Sequence, residues 1–245
     1  KNHTSELIKV GPSESMSKSK KNTIDPENIM NNYGADSVRL FILSDSPPEK
    51  DVQWSEEGMS ASFKFIQKLW SLHNKILKEI KLNHPKDNKE EISKFTHKFV
   101  KKITENLNNF SYNIVVANMH EMYAYLFKEI ERNYNKEIII ENYKKILISI
   151  MPVVPHFANE CLNNLGLNKE LNWPSYDNKF IEEKNTLIVI QVNGKKRGLV
   201  TLPKNSSEDD LLKLIITDDK ISKYIEGKNI KKKIYIKDKL LNIII

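Results

Sequence analysis

Residues 56–80 read EEGMSASFKFIQKLWSLHNKILKEI, and one set of positions in this stretch recurs every three or four residues. This spacing puts the set on one face of an α-helix and leaves the other face to lysine, glutamate and serine. The positions on the first face are Met59, Phe63, Ile66, Leu69, Trp70, His73, Ile76, Leu77 and Ile80. The stretch therefore predicts a long amphipathic helix that is packed along one side.

The same periodicity continues toward the C-terminus to about residue 166. Four or five amphipathic helices joined by short connections are typical of a helical bundle. Pro152 and Pro155 interrupt the series, because proline cannot continue a helix. The helices after the first are predicted to follow a linker at 83–88, to begin near Ser111, to span about 136–151, and to run from Pro155 toward Gly166.

Three large rings in this region, Trp70, His156 and Trp173, invite a functional interpretation. Rings of this kind on helix faces and at helix starts are most often core residues. We therefore predict that all three pack into the core of the bundle.

Two shorter helices are predicted before the bundle. Asp25 can cap the free N–H groups of a helix that has Pro26 in its first position, and Gly34 suits its end. A second helix is predicted over 36–43 and is followed by Pro47-Pro48, which ends the region. The residues predicted to face inward from the second helix are Val38, Phe41 and Ile42.

After residue 184 the hydrophobic period changes to two, which indicates β-strands. Strands are predicted over 186–193, 197–202, 230–236 and 240–245, with a turn at Gly194-Lys195 and helical residues from Ser206 or Ser207 to Gly227. This order, ββααββ, predicts a small α+β module. The fold class predicted for the whole chain is mainly α, with this module at its C-terminal end.

The chain has 245 residues, a formal net charge of +7 and a single cysteine, Cys161. Residues 186–245 carry thirteen Lys or Arg and seven Asp or Glu, which gives this segment +6 of the total. A basic module indicates a polyanionic partner, most simply nucleic acid, although solvated lysine-rich faces are the alternative. One cysteine allows neither an internal disulfide nor a cysteine zinc cluster, and it fits a reducing cytoplasm. No apolar run approaches the roughly 20 residues needed to span a bilayer.

Residues 15–22 alternate small hydroxyl side chains with lysines, around Met16-Ser17-Lys18-Ser19. Hydroxyls and backbone N–H groups can donate hydrogen bonds to a polyphosphate, and lysines supply mobile positive charge. A short strand at 7–10 is predicted to lead into this loop. A solvated loop or a phosphorylation target is the alternative on composition alone, and the spacing is not that of a Walker loop.

The segment 15–58 resembles the end of the catalytic domain of class I aminoacyl-tRNA synthetases, whose second signature is Lys-Met-Ser-Lys-Ser. Here the signature stands as residues 15–19, with Ser15 in place of the first Lys. The contribution of that charge is left open, and Lys20 or Lys21 could replace it. The family pattern continues with Asn22, Asp25-Pro26, Tyr33-Gly34-Ala35-Asp36 and Arg39.

Three further stretches resemble the leucyl-tRNA synthetases of bacteria: Lys20-Lys21-Asn22, residues 46–55 (SPPEKDVQWS), and residues 191–198 (QVNGKKRG). Valyl and isoleucyl relatives usually carry Leu-Gly-Asn after the signature. Residues 151–160 resemble the last helices of the family's anticodon-binding domain. The resemblance implies three parts: 1–55, the end of a Rossmann-type catalytic domain; 56–178, a helical anticodon-binding domain; and 186–245, a basic C-terminal tRNA-binding module.

The resemblance implies an ATP-dependent ligase that joins leucine to tRNA(Leu) in two steps. Leucine attacks the α-phosphate of ATP, which is bound with Mg²⁺, and the leucyl group then passes to the tRNA. Lys18 is implied as the catalytic residue that contacts the phosphates, with Met16, Ser17 and Ser19 in the ATP-binding loop. No metal ligands are expected in this segment, and zinc in particular is not.

The candidate tRNA contacts are Lys195, Lys196, Arg197, Lys231, Lys232 and Lys233. We expect a cytoplasmic, monomeric protein that does not bind membranes. The family's first signature, leucine pocket and editing domain have no match in these 245 residues, so they are not expected to activate leucine alone. Two alternatives stay open: a valyl or isoleucyl enzyme, or a non-catalytic RNA-binding protein built from synthetase parts.

Overall fold

The computed structural model describes residues 12–82, 89–132, 134–169, 171–182 and 185–245. The chain divides into two compact units between Phe180 and Ile181. The predicted strand at 7–10 and linker at 83–88 lie outside the described residues. The predicted fold class is confirmed, since helices dominate the described residues and a small sheet lies near the C-terminus.

The regular secondary structure in the described part of the first unit is helical. Most of the helix ends in this unit fall within about two residues of the predicted positions, because the caps and prolines that fix them are local. The helices are α1 (Pro26–Tyr33), α2 (Ala35–Asp45), α3 (Glu56–Leu82), α4 (Lys89–Asn108), α5 (Tyr112–Glu129) with a 3₁₀ turn (Ile130–Arg132), α6 (Lys136–Ile150), α7 (Pro155–Asn164) and α8 (Asn178–Ile181).

Helix α1 begins and ends as predicted. The Asp25 carboxylate accepts a hydrogen bond from the Glu27 N–H, and Pro26 occupies the first helical position. Gly34 ends the helix with φ of 80°, a backbone conformation that favours glycine. The prediction that Ile42 of α2 faces inward is wrong: its side chain is 50% exposed, and Leu40 is buried instead. Leu40 is the residue one turn after Asp36, whose carboxylate is also buried, so the inner face of α2 mixes polar and apolar residues.

Helices α3 to α7 enclose one core that includes Leu69, Met119, Ile146 and Val153. The predicted bundle is therefore confirmed, and the long helix over 56–80 is its first member. Trp70 packs partly buried against this core, with its ring centroid 5.0 Å from that of Phe157.

For two of the three rings the core prediction is wrong. The His156 side chain is 75% exposed, and Trp173 is 43% exposed. Each ring forms a hydrogen bond with a side chain of another helix instead. The Trp173 indole N–H donates to Thr104 Oγ1 at 3.0 Å, and the His156 ring bonds Asp36 at 2.8 Å.

His73 has no exposed surface and lies in a chain of buried hydrogen bonds that links Asn164, His73 and Tyr143. We call this chain the relay. The Asn164 amide nitrogen lies 3.4 Å from His73 Nε2 and can only donate, so Nε2 accepts and Nδ1 carries the proton. Nδ1 in turn donates to the Tyr143 hydroxyl at 3.2 Å. Burial lowers the pKa of His73, and burial raises the pKa of the Cys161 thiol, Tyr143's neighbour, to about 12. Both shifts favour the neutral forms of His73 and Cys161 near neutral pH.

Acidification is expected to destabilise the first unit through His73. The unfolded chain takes up a proton near the ordinary histidine pKa of about 6.5, whereas the folded relay takes it up only at lower pH. The stability that neutral His73 provides is thus complete above about pH 6.5 and is lost as the pH falls below that value. Urea unfolding at pH 7.5 and pH 5.5 measures this loss.

The control for that measurement is His73→Gln, because glutamine cannot ionise and its amide oxygen can still accept from Asn164. The loss of unfolding free energy on acidification should be smaller in the variant than in the wild type. Part of the loss should remain, because burial also lowers the pKa values of His97 and His120. An equal loss in both proteins would contradict the assignment of the relay as neutral.

The second unit is a four-stranded sheet in the order β2-β1-β4-β3. β1 and β4 pair in parallel, and the two outer pairs are antiparallel. Asn193 and Gly194 join β1 to β2 with φ values of 51° and 75°, which is the conformation that a two-residue Asn-Gly hairpin turn requires. Lys195 therefore starts the second strand and does not belong to the turn. The strands are β1 (Asn185–Val192), β2 (Lys195–Pro203), β3 (Lys232–Ile236) and β4 (Leu240–Ile244).

Two helices, α9 (Glu208–Thr217) and α10 (Asp219–Ser222), pack against one face of this sheet. Ser207 and Asp210 form a reciprocal capping box at the start of α9, and the hydrogen bonds from Ser207 lower the pKa of Asp210. Gly198 lets α10 approach closely, because a Cβ there would lie 2.5 Å from the Ile221 side chain. The predicted order ββααββ is confirmed.

No helix in the described part of the chain is long and apolar enough to cross a membrane.

Candidate functional site

The Ser-Lys loop before α1 is folded into two overlapping turns. Lys20 N–H donates to the Ser17 carbonyl and Lys21 N–H donates to the Lys18 carbonyl, each at 3.2 Å. Lys21 closes the second turn with φ of 52°, which is uncommon for a residue with a side chain. The turns place Lys18 and Ser19 at the tip of the loop, where both are exposed.

Asn22 holds the base of this loop. Its amide oxygen accepts from the Ser17 N–H at 2.8 Å, and its amide nitrogen donates to the Ser15 carbonyl at 3.3 Å. The Ser17 and Ser19 hydroxyls lie 3.1 Å apart, so they face the same side of the loop. The result is a pre-shaped loop in which the residues before and after Lys18 bring their hydroxyls together.

The lysines of the loop differ in their surroundings. The Lys20 ammonium lies 2.9 Å from a carboxylate oxygen of Glu14, which offsets its charge. Lys18 forms no ion pair with any described residue, so its ammonium can meet an incoming anion. Lys20 is therefore less suited than Lys18 to contact a phosphate. For the same reason Lys20 is poorly placed to replace the positive charge that is missing at Ser15.

An open cleft of about 690 Å³ adjoins the loop. Glu14, Ser15, Met16 and Asn22 line one side of it, and residues 51–54 line the other. The far wall is supported from α2, because the Trp54 ring stands edge-on to Phe41 with centroids 5.3 Å apart. The cleft therefore gives the loop a facing wall and leaves open space between the two sides.

Behind the loop, α2 is tied to the turn between α6 and α7 by two charged side chains. Asp36 Oδ2 accepts from the Phe157 N–H at 2.7 Å, and Oδ1 accepts from the N–H of His156 at 3.3 Å. Arg39 donates to the carbonyls of Pro152 and Val153 at 2.6 and 3.1 Å. We call Asp36 and Arg39 the clamp.

The clamp follows helix electrostatics. Helix α7 has no capping side chain of its own, and Asp36 takes that role from 120 residues away, at the positive end of the helix dipole. Arg39 lies one turn later on the same face of α2 and meets carbonyls just beyond the C-terminal end of α6, where the dipole is negative. Both residues belong to the family pattern in the sequence, but the pattern alone assigns a role to neither.

The six basic residues predicted to contact RNA do not form one patch. Lys196 pairs with Gln191, and Lys232 pairs with Ile244, on the sheet face opposite α9 and α10. Lys233 faces the helices and lies 2.9 Å from a carboxylate oxygen of Glu208. The other three differ again: Arg197 packs its guanidinium 4.2 Å from the Tyr224 ring centroid, and Lys195 and Lys231 are exposed.

Comparison with known proteins places these features in a family. Residues 89–213, half of the chain, match the anticodon-binding domain of tRNA ligases. Residues 3–55, which include the Ser-Lys loop and the clamp, match the class I tRNA synthetases for isoleucine, leucine, methionine and valine. Curated relatives resolve that choice: a leucine–tRNA ligase of Orientia tsutsugamushi is 39% identical over 98% of this chain.

The chain belongs to the leucyl-tRNA synthetase family. Further leucine–tRNA ligases of the family are similar over 94% of the chain, at 36% identity in Fervidobacterium nodosum and 32% in Thermotoga maritima. The chain spans only 29–30% of the length of these relatives.

A solved structure has the same fold as this member of the leucyl-tRNA synthetase family. It is the ternary complex of the Agrobacterium radiobacter K84 LeuRS with tRNA and LeuAMS, which matches with a TM-score of 0.77 and 20% identity over 94% of this chain and 30% of that one. The similarity extends over both compact units, so the helical bundle and the small sheet both occur in that fold.

Asp36 and Arg39 could not be recognised from the sequence of this leucyl-tRNA synthetase family member, because their hydrogen-bond partners are distant along the chain. Asp36 and Arg39 find theirs 113 to 121 positions away. A signal was available: α7 starts at Pro155 without a Ser, Thr, Asp or Asn before it, so its free N–H groups required a cap from elsewhere.

Proposed function

We propose that this chain is the part of a leucine–tRNA ligase that supplies the ATP-phosphate loop and the tRNA-binding surfaces. The observation that carries the proposal is the similarity to leucine–tRNA ligases over 94–98% of the chain. The proposed division is 1–55 for the end of the catalytic domain, 56–178 for the anticodon-binding domain and 186–245 for the C-terminal tRNA-binding module. The full-length enzyme would work as a cytoplasmic monomer.

The first step of the reaction determines what the loop must do. The leucine carboxylate attacks the α-phosphorus of ATP, the bond to the bridging oxygen breaks, and pyrophosphate leaves with its charge. Negative charge therefore builds on the phosphates in the transition state, where positioned cations stabilise it. Lys18 is suited to this role because its ammonium is exposed at the tip of a loop that Asn22 holds in shape.

The neighbouring hydroxyls complete the proposed phosphate contact. Ser17 and Ser19 present their hydroxyls beside Lys18, and each can donate to a phosphate oxygen in place of their mutual contact. Met16, 47% exposed, lies in the cleft beside the loop and provides apolar surface for the nucleotide. Mg²⁺ comes to this reaction as part of the ATP substrate. Among the described residues no three His, Cys, Asp or Glu side chains are grouped to hold a metal ion.

The second step brings in tRNA(Leu), the proposed macromolecular partner. The excess of positive charge in residues 186–245 supports contact with phosphates by the C-terminal module. Lys195, Lys196, Arg197, Lys231, Lys232 and Lys233 remain the proposed contacts. Of these, Lys196 and Lys232 extend from the sheet face opposite α9 and α10.

Binding of tRNA(Leu) to the chain tests the proposal. Contacts to phosphates release counterions, so the affinity measured by fluorescence anisotropy should fall at least tenfold between 50 and 200 mM KCl. A protein of the same mass and net negative charge serves as the control for non-specific signal. An affinity that is unchanged over this salt range would contradict tRNA binding through the basic surfaces.

A further inference from the structure

A second cavity, of about 730 Å³, opens in the first unit beside the clamp. One face of α3 lines it with Phe63, Ile66, Gln67 and Trp70, and its other walls come from the end of α1, the start of α2 and the start of α7. This volume lies within the range of about 300–1,000 Å³ that is typical of small-molecule sites. The cavity shares no lining residue with the cleft beside the Ser-Lys loop, so it is separate from the proposed ATP-binding surface.

Two pairs of aromatic rings wall this cavity. The Tyr33 ring stands edge-on to Phe63 with centroids 5.7 Å apart, and the Trp70 ring stands edge-on to Phe157 with centroids 5.0 Å apart. Phe63 and Trp70 lie two turns apart on α3, so about 10 Å separates the two pairs along the helix. Each pair joins two helices, which fixes the orientation of its rings. The apolar walls therefore suit a flat aromatic molecule.

The polar wall of the cavity consists of hydrogen-bond donors at the start of α2. Gly34 is the N-cap and provides no capping side chain, so the N–H groups of the first turn need an acceptor from elsewhere. A Cβ built on Gly34 would meet no atom within 4 Å, so the chain borders open space at this point. Ser37 is 1% exposed and lines the cavity, and its hydroxyl forms no hydrogen bond with any described residue. Because a buried polar group without a partner is costly, an acceptor bound in the cavity would be stabilising.

The charges around the cavity favour an uncharged ligand. The carboxylates are those of Asp36 and Glu160, and none of the described lining residues is Lys or Arg. The His156 ring also lines the cavity, but it is already bonded to Asp36 at 2.8 Å. Two carboxylates would repel an anionic acceptor, whereas a cation would leave the donors of α2 without an acceptor. A neutral carbonyl oxygen satisfies the donors and avoids both costs.

We propose that this cavity binds an uncharged aromatic carboxamide. The ring of the ligand packs against the aromatic pairs, and its carbonyl oxygen accepts from the Ser37 hydroxyl and the free N–H groups of α2. The amide NH₂ group donates to the carboxylate of Glu160 or to the side-chain oxygen of Gln67. The proposal does not depend on the proposed function, because no described lining residue belongs to the Ser-Lys loop or to the basic C-terminal module.

Benzamide is the probe that tests the proposal. Benzoate and benzylamine are matched controls, since they share its ring but carry a negative or a positive charge. Two-dimensional NMR of the ¹⁵N-labelled chain follows the amide signals of Ala35 and Ser37 and the indole signal of Trp70. Benzamide should shift these signals with a single saturable Kd of about millimolar order, as expected for so small a ligand. Both charged probes should bind at least about fivefold more weakly.

Ser37→Ala tests the donor that the proposal assigns. The variant should weaken benzamide binding about fivefold and leave benzylamine binding unchanged, because only benzamide offers an acceptor. Ser44→Ala is the control on the same helix, since Ser44 donates to the Phe41 carbonyl and does not line the cavity. It should leave benzamide binding unchanged. Circular dichroism should show equal helicity in both variants and the wild type.

Glu160→Gln tests the charge argument, because removal of this carboxylate should bring the affinity for benzoate closer to that for benzamide. The proposal is overturned if either charged probe binds the wild type more tightly than benzamide does. Equal benzamide affinity of Ser37→Ala and the wild type would overturn it as well. Shifts that spread over the whole chain and do not saturate would show that the cavity is not a site.

Discussion

Lys18→Ala in the full-length ligase is expected to reduce ATP–pyrophosphate exchange at least about a hundredfold, which corresponds to roughly 3 kcal/mol of transition-state stabilisation. The physical reason is that Lys18 is the lysine of the loop tip whose charge no described carboxylate offsets. In the proposed mechanism, alanine removes the cation at the point where charge builds on the leaving phosphates. The change should fall mainly on kcat, because the contact strengthens as that charge develops.

Lys20→Ala is the matched control, since it removes the same charge from the same loop. Its ammonium is held 2.9 Å from Glu14, so its loss should reduce exchange several-fold at most. Transfer of leucine from preformed leucyl-adenylate to tRNA provides a second control, because Lys18 is not required once pyrophosphate has left. Exchange within twofold of wild type in Lys18→Ala would remove this residue from the mechanism.

The elements of this fold were predictable where their causes are local. Asp25, Pro26 and Gly34 set both ends of α1, and Ser207 with the acids after it sets the start of α9. Helical and strand periods depend on residues three to four or two positions apart, so sequence alone carries them. The Asn193-Gly194 turn was likewise visible as a dipeptide, although the first residue of the next strand was not.

Predictions failed or fell short where side chains meet partners far along the chain. His156 and Trp173 were expected in the core because of their ring size, yet each lies at the surface with a polar partner from another helix. For the candidate site, the loop residues were predictable from their pattern. The spacing did not indicate that Glu14 would offset Lys20, or that Arg197 would pack on Tyr224.

The clamp joins the part of the chain that carries the loop to the helical bundle. Helix α2 packs against α3, α5 and α7, so apolar contact already holds it in place. Apolar packing is not directional, whereas the Asp36 and Arg39 hydrogen bonds fix the α6–α7 turn at specific atoms. The clamp can thus set the orientation of α2, and of the segment before it, relative to the rest of the helical bundle.

Asp36→Ala is expected to lower the free energy of unfolding of the first unit by about 3 kcal/mol. The variant leaves the buried Phe157 N–H and the His156 N–H without acceptors, and it removes a negative charge from the positive end of α7. Urea unfolding followed by tryptophan fluorescence measures this, because Trp54, Trp70 and Trp173 all lie in the first unit.

Asp25→Ala is the control, since Asp25 caps α1 in the same manner but is exposed, and its loss should cost about 1 kcal/mol or less. Arg39→Ala in combination with Asp36→Ala should cost less than the sum of the single changes, because both side chains hold the same turn. A cost for Asp36→Ala no larger than that of Asp25→Ala would show that packing alone positions α2. Additive costs would show instead that Asp36 and Arg39 act on the turn independently, as two separate contacts.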